Sequence, residues 1–333
     1  MPITAAASAR FRRLGVLTIF AVYLVILAGG TVRASGAGMG CPDWPTCFGQ
    51  WIPPTSEAQL PPNYHEIYAA RGYQNTAFNP LKTWTEYSNR LIGVSAGLLI
   101  ILTVWRARAY LNSDKTVFYL SLSVLLITGF QGWLGSAVVA SNLKPLMITL
   151  HMLLALFIVA LLIYAIARSQ RLFLAQIDAS WLTPRYQLIL KLAMAMTLLQ
   201  ISMGVQVREA VDFIAHQHSY IDRAYWRDSF PIIFYVHRSF SSLILFTNLW
   251  LAWTIHKQTA AHPLLRTLAH ALAGLVITAI LAGVSLDRLG FPALAQPVHL
   301  LMANLIFGAQ FLLFICCRYA KAEIPNSLAA GVI

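Results

Sequence analysis

Three histidines sit where an ionisable side chain is expensive. His151, His237 and His299 each fall inside a run of apolar residues, roughly six positions from one end, or ~9 Å deep at the rise of an α-helix. A residue so placed faces a bundle interior or a functional cavity. For one such histidine alone, packing against a neighbour's carbonyl is the simpler account. His237 and His299, however, share one depth in the same half of the chain, and paired imidazoles from facing helices are a common way for a bundle to hold haem iron. No acidic ligands accompany them to suggest a different metal. Arg33, Arg90, Arg208 and Arg238 fall near the same ends, where they could pair with haem propionates or simply snorkel toward the interface.

His151 has a different companion. Where the second half carries His237, the first carries Asn89, a poor iron ligand, with Glu86 one helical turn before it. A carboxylate at the membrane edge beside a single histidine suggests a site left open for substrate and proton transfer. The alternative is an interfacial Glu86 paired with Arg90 at i+4. Cys41 and Cys47 lie close together in a long polar connection, and if that connection is extracytoplasmic they can form a disulfide, either as a loop staple or as a redox pair serving an outer partner. Their spacing differs from the C-x-x-C-H of covalent haem attachment.

The elements that position these residues are membrane spans. The 333 residues are 58% hydrophobic and 11% charged, against roughly 25% charged in soluble domains. A spanning helix needs ~20 mostly apolar residues, and eight segments qualify: 14–30, 84–105, 116–139, 145–166, 187–207, 231–255, 264–284 and 294–317. The net charge of +12 is scattered in short clusters rather than one stripe, which argues against nucleic acid. Arg10, Arg12 and Arg13 precede the first segment, and basic residues follow the second, fourth, sixth and eighth. By the positive-inside rule both termini are then cytoplasmic, and the first segment is read as a retained helix. The connection 31–83 is rich in Pro, Gly and aromatics and reads as a folded cap on the outer side, with a short interfacial helix over 63–73. The other sizeable outer connection is 208–230.

The chain also repeats itself. Asn89-Arg90 and His237-Arg238 are 148 positions apart, as are His151 and His299. Gly29-Gly30-Thr31-Val32-Arg33 matches Gly204-Val205-Gln206-Val207-Arg208 in the same order. Four spans separate the copies, so both keep one orientation, a parallel repeat. The fold expected is all-α: two tandem, related four-helix bundles, residues 1–168 with the cysteine loop and residues 169–333.

Taken together, the loop Gly40-Cys41-Pro42-Asp43-Trp44-Pro45-Thr46-Cys47-Phe48-Gly49, the block Trp84-Thr85-Glu86-Tyr87-Ser88-Asn89-Arg90 and the histidines at 151, 237 and 299 resemble the CtaA-type haem A synthases, over all eight segments. The resemblance implies a b-type haem on His237 and His299. It further implies that the first half receives haem O and oxidises its C8 methyl to the formyl group of haem A, with Glu86 important for activity and water as the oxygen source. Many members have histidine where this chain has Asn89, so His151, alone or with water, would hold the substrate. The connection 208–230 also lacks a cysteine pair that some relatives carry.

On this resemblance the partners are haem O, a haem O synthase that supplies it, and an electron acceptor that is a quinone or a thiol-redox protein, in a bacterial cytoplasmic membrane, with homo-oligomerisation open. Two other functions fit the residues: a b-type electron-transfer or haem-carrier protein, and an outer-face thiol oxidoreductase centred on Cys41 and Cys47.

Overall fold

A computed structural model describes residues 3–178, 181–217, 226, 229–258, 262–292 and 294–320. Among them are ten α-helices: α1 (Ala5–Ala34), α2 (Tyr64–Ile67), α3 (Pro80–Ala107), α4 (Lys115–Ala140), α5 (Pro145–Ser169), α6 (Arg171–Ala175), α7 (Pro184–Gln217), α8 (Ile232–His256), α9 (Pro263–Arg288) and α10 (Ala295–Ala320). Eight of them, all but α2 and α6, are long and apolar enough to cross a membrane, and they coincide with the eight segments expected. Local chemistry sets their starts. Pro80, Pro145, Pro184 and Pro263 open α3, α5, α7 and α9, positions where a missing N–H costs nothing. Asn79 and Thr4 accept from the backbone N–H groups of Lys82 and Ala7 at 3.1 and 3.2 Å, which satisfies donors the first turn leaves over.

The packing order is the same in each half. In the first, α1 packs on α3 and α5, α3 on α4, and α4 on α5; in the second, α7 packs on α8 and α10, α8 on α9, and α9 on α10. Between the halves α1 touches α10, α5 touches α7, and α5 touches α10. Leu156, Ala160, Ile201 and Phe307 form the buried centre of that seam, and the Tyr23 hydroxyl donates to the Asn304 carbonyl at 3.4 Å. The enclosure is uneven: half of the apolar stretch of α10 is buried, but only 11% of that of α4. Side chains such as Phe20, Leu126 and Phe246 are about two-thirds exposed and face the bilayer, where apolar exposure is not penalised and close packing by small residues takes over. Thus Gly308 admits the Tyr23 hydroxyl, leaving no room for a Cβ, and Gly30 lets Leu300 and Pro297 approach to within a tight contact of where its Cβ would be.

Residues 35–79 fold as a cap over the ends of α1, α3 and α4. Cys41, Cys47, Phe48, Leu60, Tyr64 and Tyr73 are its buried core. Phe48 stands edge-on to Tyr64, Tyr68, Tyr73 and Phe78. Its φ is +53°, which costs a non-glycine residue about 1–2 kcal/mol. Burial of the ring, 1% exposed, offsets this at about 1.5–3 kcal/mol. The Asp43 carboxylate fixes the turn by accepting from the Phe48 and Gly49 amides at 2.6 and 2.8 Å and from the Thr46 hydroxyl. The cap rests on the α4–α5 turn through Arg71 to the Ala140 carbonyl and Asn142 to the Ala70 carbonyl. The interfacial helix expected over 63–73 is broken: α2 ends at Ile67 and a 3₁₀ turn follows at Ala69–Arg71, because the chain must turn Tyr73 inward onto Phe48. The connection expected from 208 is shorter, since α7 continues to Gln217; residues 218–225 lie outside the described set.

Candidate functional site: a two-histidine centre and its unequal counterpart

His237 on α8 and His299 on α10 face each other with ring centroids 6.3 Å apart and planes at 70°. A metal–imidazole bond is about 2 Å and a ring nitrogen lies about 1.1 Å from its centroid, so two imidazoles on opposite sides of one metal put their centroids roughly 6 Å apart. His299 Nδ1 lies 2.9 Å from the Ala279 carbonyl. Donation to that oxygen places the proton on Nδ1 and leaves Nε2 as the lone pair, the orientation that outer partners impose on metal-binding histidines. His237 Nδ1 is buried with no hydrogen-bond partner, while the Gln200 amide nitrogen lies 3.0 Å from the His237 carbonyl and 3.5 Å from its Nε2. Among the described residues no group of three or more His, Cys, Asp or Glu could hold a bare ion. A haem, which brings four of its own donors, fits this two-imidazole set.

Each imidazole has a seat that the sequence reading did not single out. A Cβ built on Gly283 would lie 3.2 Å from His299 Cε1, one on Gly204 3.2 Å from His237 Cε1, and one on Gly135 3.3 Å from His151 Cε1. Each glycine belongs to the helix preceding its histidine: α9, α7 and α4. The fourth position is looser, since a Cβ on Gly29 would lie 3.9 Å from Asn89 Oδ1. The signal was present in the repeat, because Gly135 and Gly283 are also 148 positions apart and Gly29 and Gly204 lie in a matched stretch.

In the first half, Gln131, one turn before Gly135 on α4, donates to the His151 carbonyl at 2.9 Å. His151 Nδ1, Asn89 Oδ1 and Gln131 Oε1 are buried without partners. Glu86 is 4% exposed and both its oxygens are engaged, Oε1 by Arg90 at 2.6 Å and Oε2 by the Cys41 amide at 2.8 Å. The i+4 pairing with Arg90 is therefore real. Arg90 in turn donates to the carbonyls of Cys41, Asp43 and Thr46 at 3.2, 2.8 and 2.9 Å, so it is a strut between α3 and the cysteine loop. Gly40 is needed there, because a Cβ would strike the Lys82 carbonyl, and the Thr83 hydroxyl donates to the Gly40 carbonyl at 2.9 Å. Cys41 and Cys47 form a disulfide within this same knot. Tyr73 donates to the Met39 carbonyl at 2.6 Å, and burial, with the Glu86 charge second, pushes its phenol above the usual tyrosine range.

The other arginines occupy different settings. Arg208 and Arg33 converge on Asp212 at 2.7 and 4.0 Å, joining α7 to the end of α1, and Arg208 Nε is buried with no partner. Arg238 is about half exposed, 3.6 Å from Asp287 and 5.5 Å above the Tyr235 ring.

Known proteins have similar sequences. The heme A synthase of Shewanella oneidensis is 33% identical over 171 residues, covering 50% of this chain and 49% of that protein. The heme A synthase of Shouchella clausii is 35% identical over 142 residues, covering 42% and 39%, and that of Alkalihalophilus pseudofirmus is 30% identical over 144 residues, covering 43% and 40%. The chain thus aligns with about half or less of the length of these curated relatives. All three relatives are bacterial, and with eight apolar helices this chain is a multi-pass bacterial membrane protein. A family match extends much further, from residue 12 to residue 311, and over that length the chain belongs to the COX15-CtaA family of cytochrome oxidase assembly proteins.

Proposed function

We propose that this protein is a haem A synthase, which oxidises the C8 methyl of haem O to the formyl group of haem A in the first half and holds a b-type haem in the second. The observation that carries the reading is the inequality of matched positions: His237 opposite His299 in one half, Asn89 with Glu86 and His151 in the other. One half has two facing imidazoles that would hold a haem iron; its counterpart keeps one imidazole and adds polar groups.

On this reading, residues 1–168 and 169–333 are duplicated halves, the cap lies on the outer face and both termini are cytoplasmic. His151 orients the substrate haem. Each of two hydroxylations takes one water into a C–H position and releases two electrons and two protons; the resulting geminal diol loses water to give the aldehyde. Glu86 is the carboxylate that receives a proton, and Arg90 compensates its charge otherwise. Haem b, held by His237 and His299, supplies one-electron redox capacity. Arg33, Arg208 and Arg238 are the candidates for propionates, since Arg90 is committed to the cap. Haem O arrives from a haem O synthase, and the electrons leave to a quinone or a thiol-redox partner, the latter through Cys41 and Cys47.

The test is co-expression with a source of haem O, followed by chromatography and mass spectrometry of the extracted haems. Haem A should appear with the wild-type chain and disappear with His151→Ala, while His151→Ala keeps its b-type haem. Haem b bound with no haem A in the wild type would overturn the reading in favour of a carrier or electron-transfer protein.

A further inference from the structure

The repeat allows each residue around His151 to be compared with its counterpart around His299. Two positions on α4, the helix that seats His151, have become polar, and a third, on α3, carries an amide in place of an imidazole. Gln131 stands where the second half has Ala279, Thr128 where it has Val276, and Asn89 where it has His237, each 148 positions apart. Thr128 and Gln131 are one turn apart on α4, with Gly135, on the face that meets His151. All three carry a buried atom with no hydrogen-bond partner: Thr128 Oγ1, Gln131 Oε1 and Asn89 Oδ1. The Thr128 case is unusual, because a threonine in an apolar helix ordinarily satisfies its hydroxyl on the carbonyl four residues back, as Thr149, Thr197 and Thr278 do here. Buried polar atoms left without partners signal a missing ligand or water. The side chains of Val276 and Ala279 offer no acceptor at the matched positions, where only the Ala279 carbonyl is engaged, by His299 Nδ1; Gln200, which holds the His237 carbonyl from α7, is the one second-half counterpart with an unpartnered amide oxygen among these residues.

We propose that Thr128, Gln131 and Asn89 form an oxygen-binding edge in the first-half pocket that holds the water entering the reaction and the hydroxyl group it becomes. The inference rests on the haem A synthase reading and adds substrate-binding residues to it. Two amide oxygens accept the O–H bonds of a water or an alcohol, and the Thr128 hydroxyl either donates or accepts. Gln131 serves twice, since its amide nitrogen holds the His151 carbonyl while its oxygen faces the bound group. A methyl substituent makes no use of these atoms, but a hydroxymethyl does, so the edge favours the half-oxidised substrate over haem O and retains it for the second hydroxylation.

The experiment measures bound haem O and its products separately in Thr128→Val and Gln131→Ala, each of which installs the residue the second half already has. Thr128→Val is nearly isosteric and leaves the His151 contacts intact. The expected result is haem O binding within about twofold of wild type, with conversion slowed about tenfold to a hundredfold, the range for losing one buried hydrogen-bond partner, and with the hydroxymethyl intermediate released in excess over haem A. Conversion at the wild-type rate in both variants overturns the inference, as does a loss that only tracks reduced haem O binding in both, because that marks a structural role. If the wild-type chain itself makes no haem A, the failure lies with the haem A synthase reading instead.

Discussion

Adding one methyl group at Gly283 should perturb the two-histidine centre without unfolding the bundle. The Cβ of Gly283→Ala would lie 3.2 Å from His299 Cε1, short of the 3.4 Å at which ordinary contact begins, so ring or helix must give by a few tenths of an ångström. Overpacking of this kind costs about 1–3 kcal/mol, and the alanine returns about 1 kcal/mol in helix propensity, leaving little net change in stability. A metal–nitrogen bond, by contrast, tolerates only about 0.2 Å, and His299 cannot rotate freely because Nδ1 is bound to the Ala279 carbonyl. If the displacement weakens ligation in one oxidation state by about 1 kcal/mol more than in the other, the one-electron midpoint shifts by about 40 mV. The assay is redox titration with absorbance and electron paramagnetic resonance on the haem-loaded protein. Gly274→Ala, on the same helix with nothing within 4 Å of its Cβ, is the control. Identical midpoints and spectra for the two variants, at equal haem content, would refute the seat argument.

Two further outcomes follow from the cap. Glu86→Gln keeps the shape but removes the charge that Arg90 and the Cys41 amide share, and should loosen residues 35–79 by about 3 kcal/mol, the lower end of the range for breaking a buried pair, because Arg90 keeps its three carbonyl acceptors; faster proteolysis of the cap with intact α-helical content would register it. Converting Cys41 and Cys47 together to serine opens a loop of sequence separation 6, worth about 2 kcal/mol in chain entropy. If the pair is only a staple, haem A yield should survive at low temperature, whereas a redox role predicts its loss at every temperature.

The eight spans were legible in the sequence because a bilayer makes burial a property of the segment: ~20 apolar residues must span whatever they pack against. His237 and His299 were legible for the same reason, since an imidazole in such a segment has to be accounted for, and the 148-residue spacing set His151 and Asn89 against them. Contacts across helices were not legible. The repeat sets Gly135 against Gly283 and Gly29 against Gly204, but it does not say what each one meets, because a glycine seat is defined by what approaches it from another helix. Arg90 read as a propionate partner, a snorkelling arginine or the i+4 partner of Glu86; the fold pairs it with Glu86 and surrounds it with three carbonyls of the cysteine loop, which lie more than forty positions away in the chain. Glu86 was left between two roles that only the cap's position could weigh, and the cap's position depends on the φ of Phe48 and the aromatic rings that meet it.

The sequence by itself determined the class of molecule, the number of spans, the 148-residue spacing and the unequal residues at the positions it matches, all of which follow from hydropathy and period. Tertiary structure alone decided which groups meet each imidazole, and that the Thr128 hydroxyl and the Gln131 amide oxygen are buried without hydrogen-bond partners. The physical reason is that hydrogen-bond satisfaction and close contact are fixed at the scale of a few ångströms between helices, and the sequence order of those helices does not encode it.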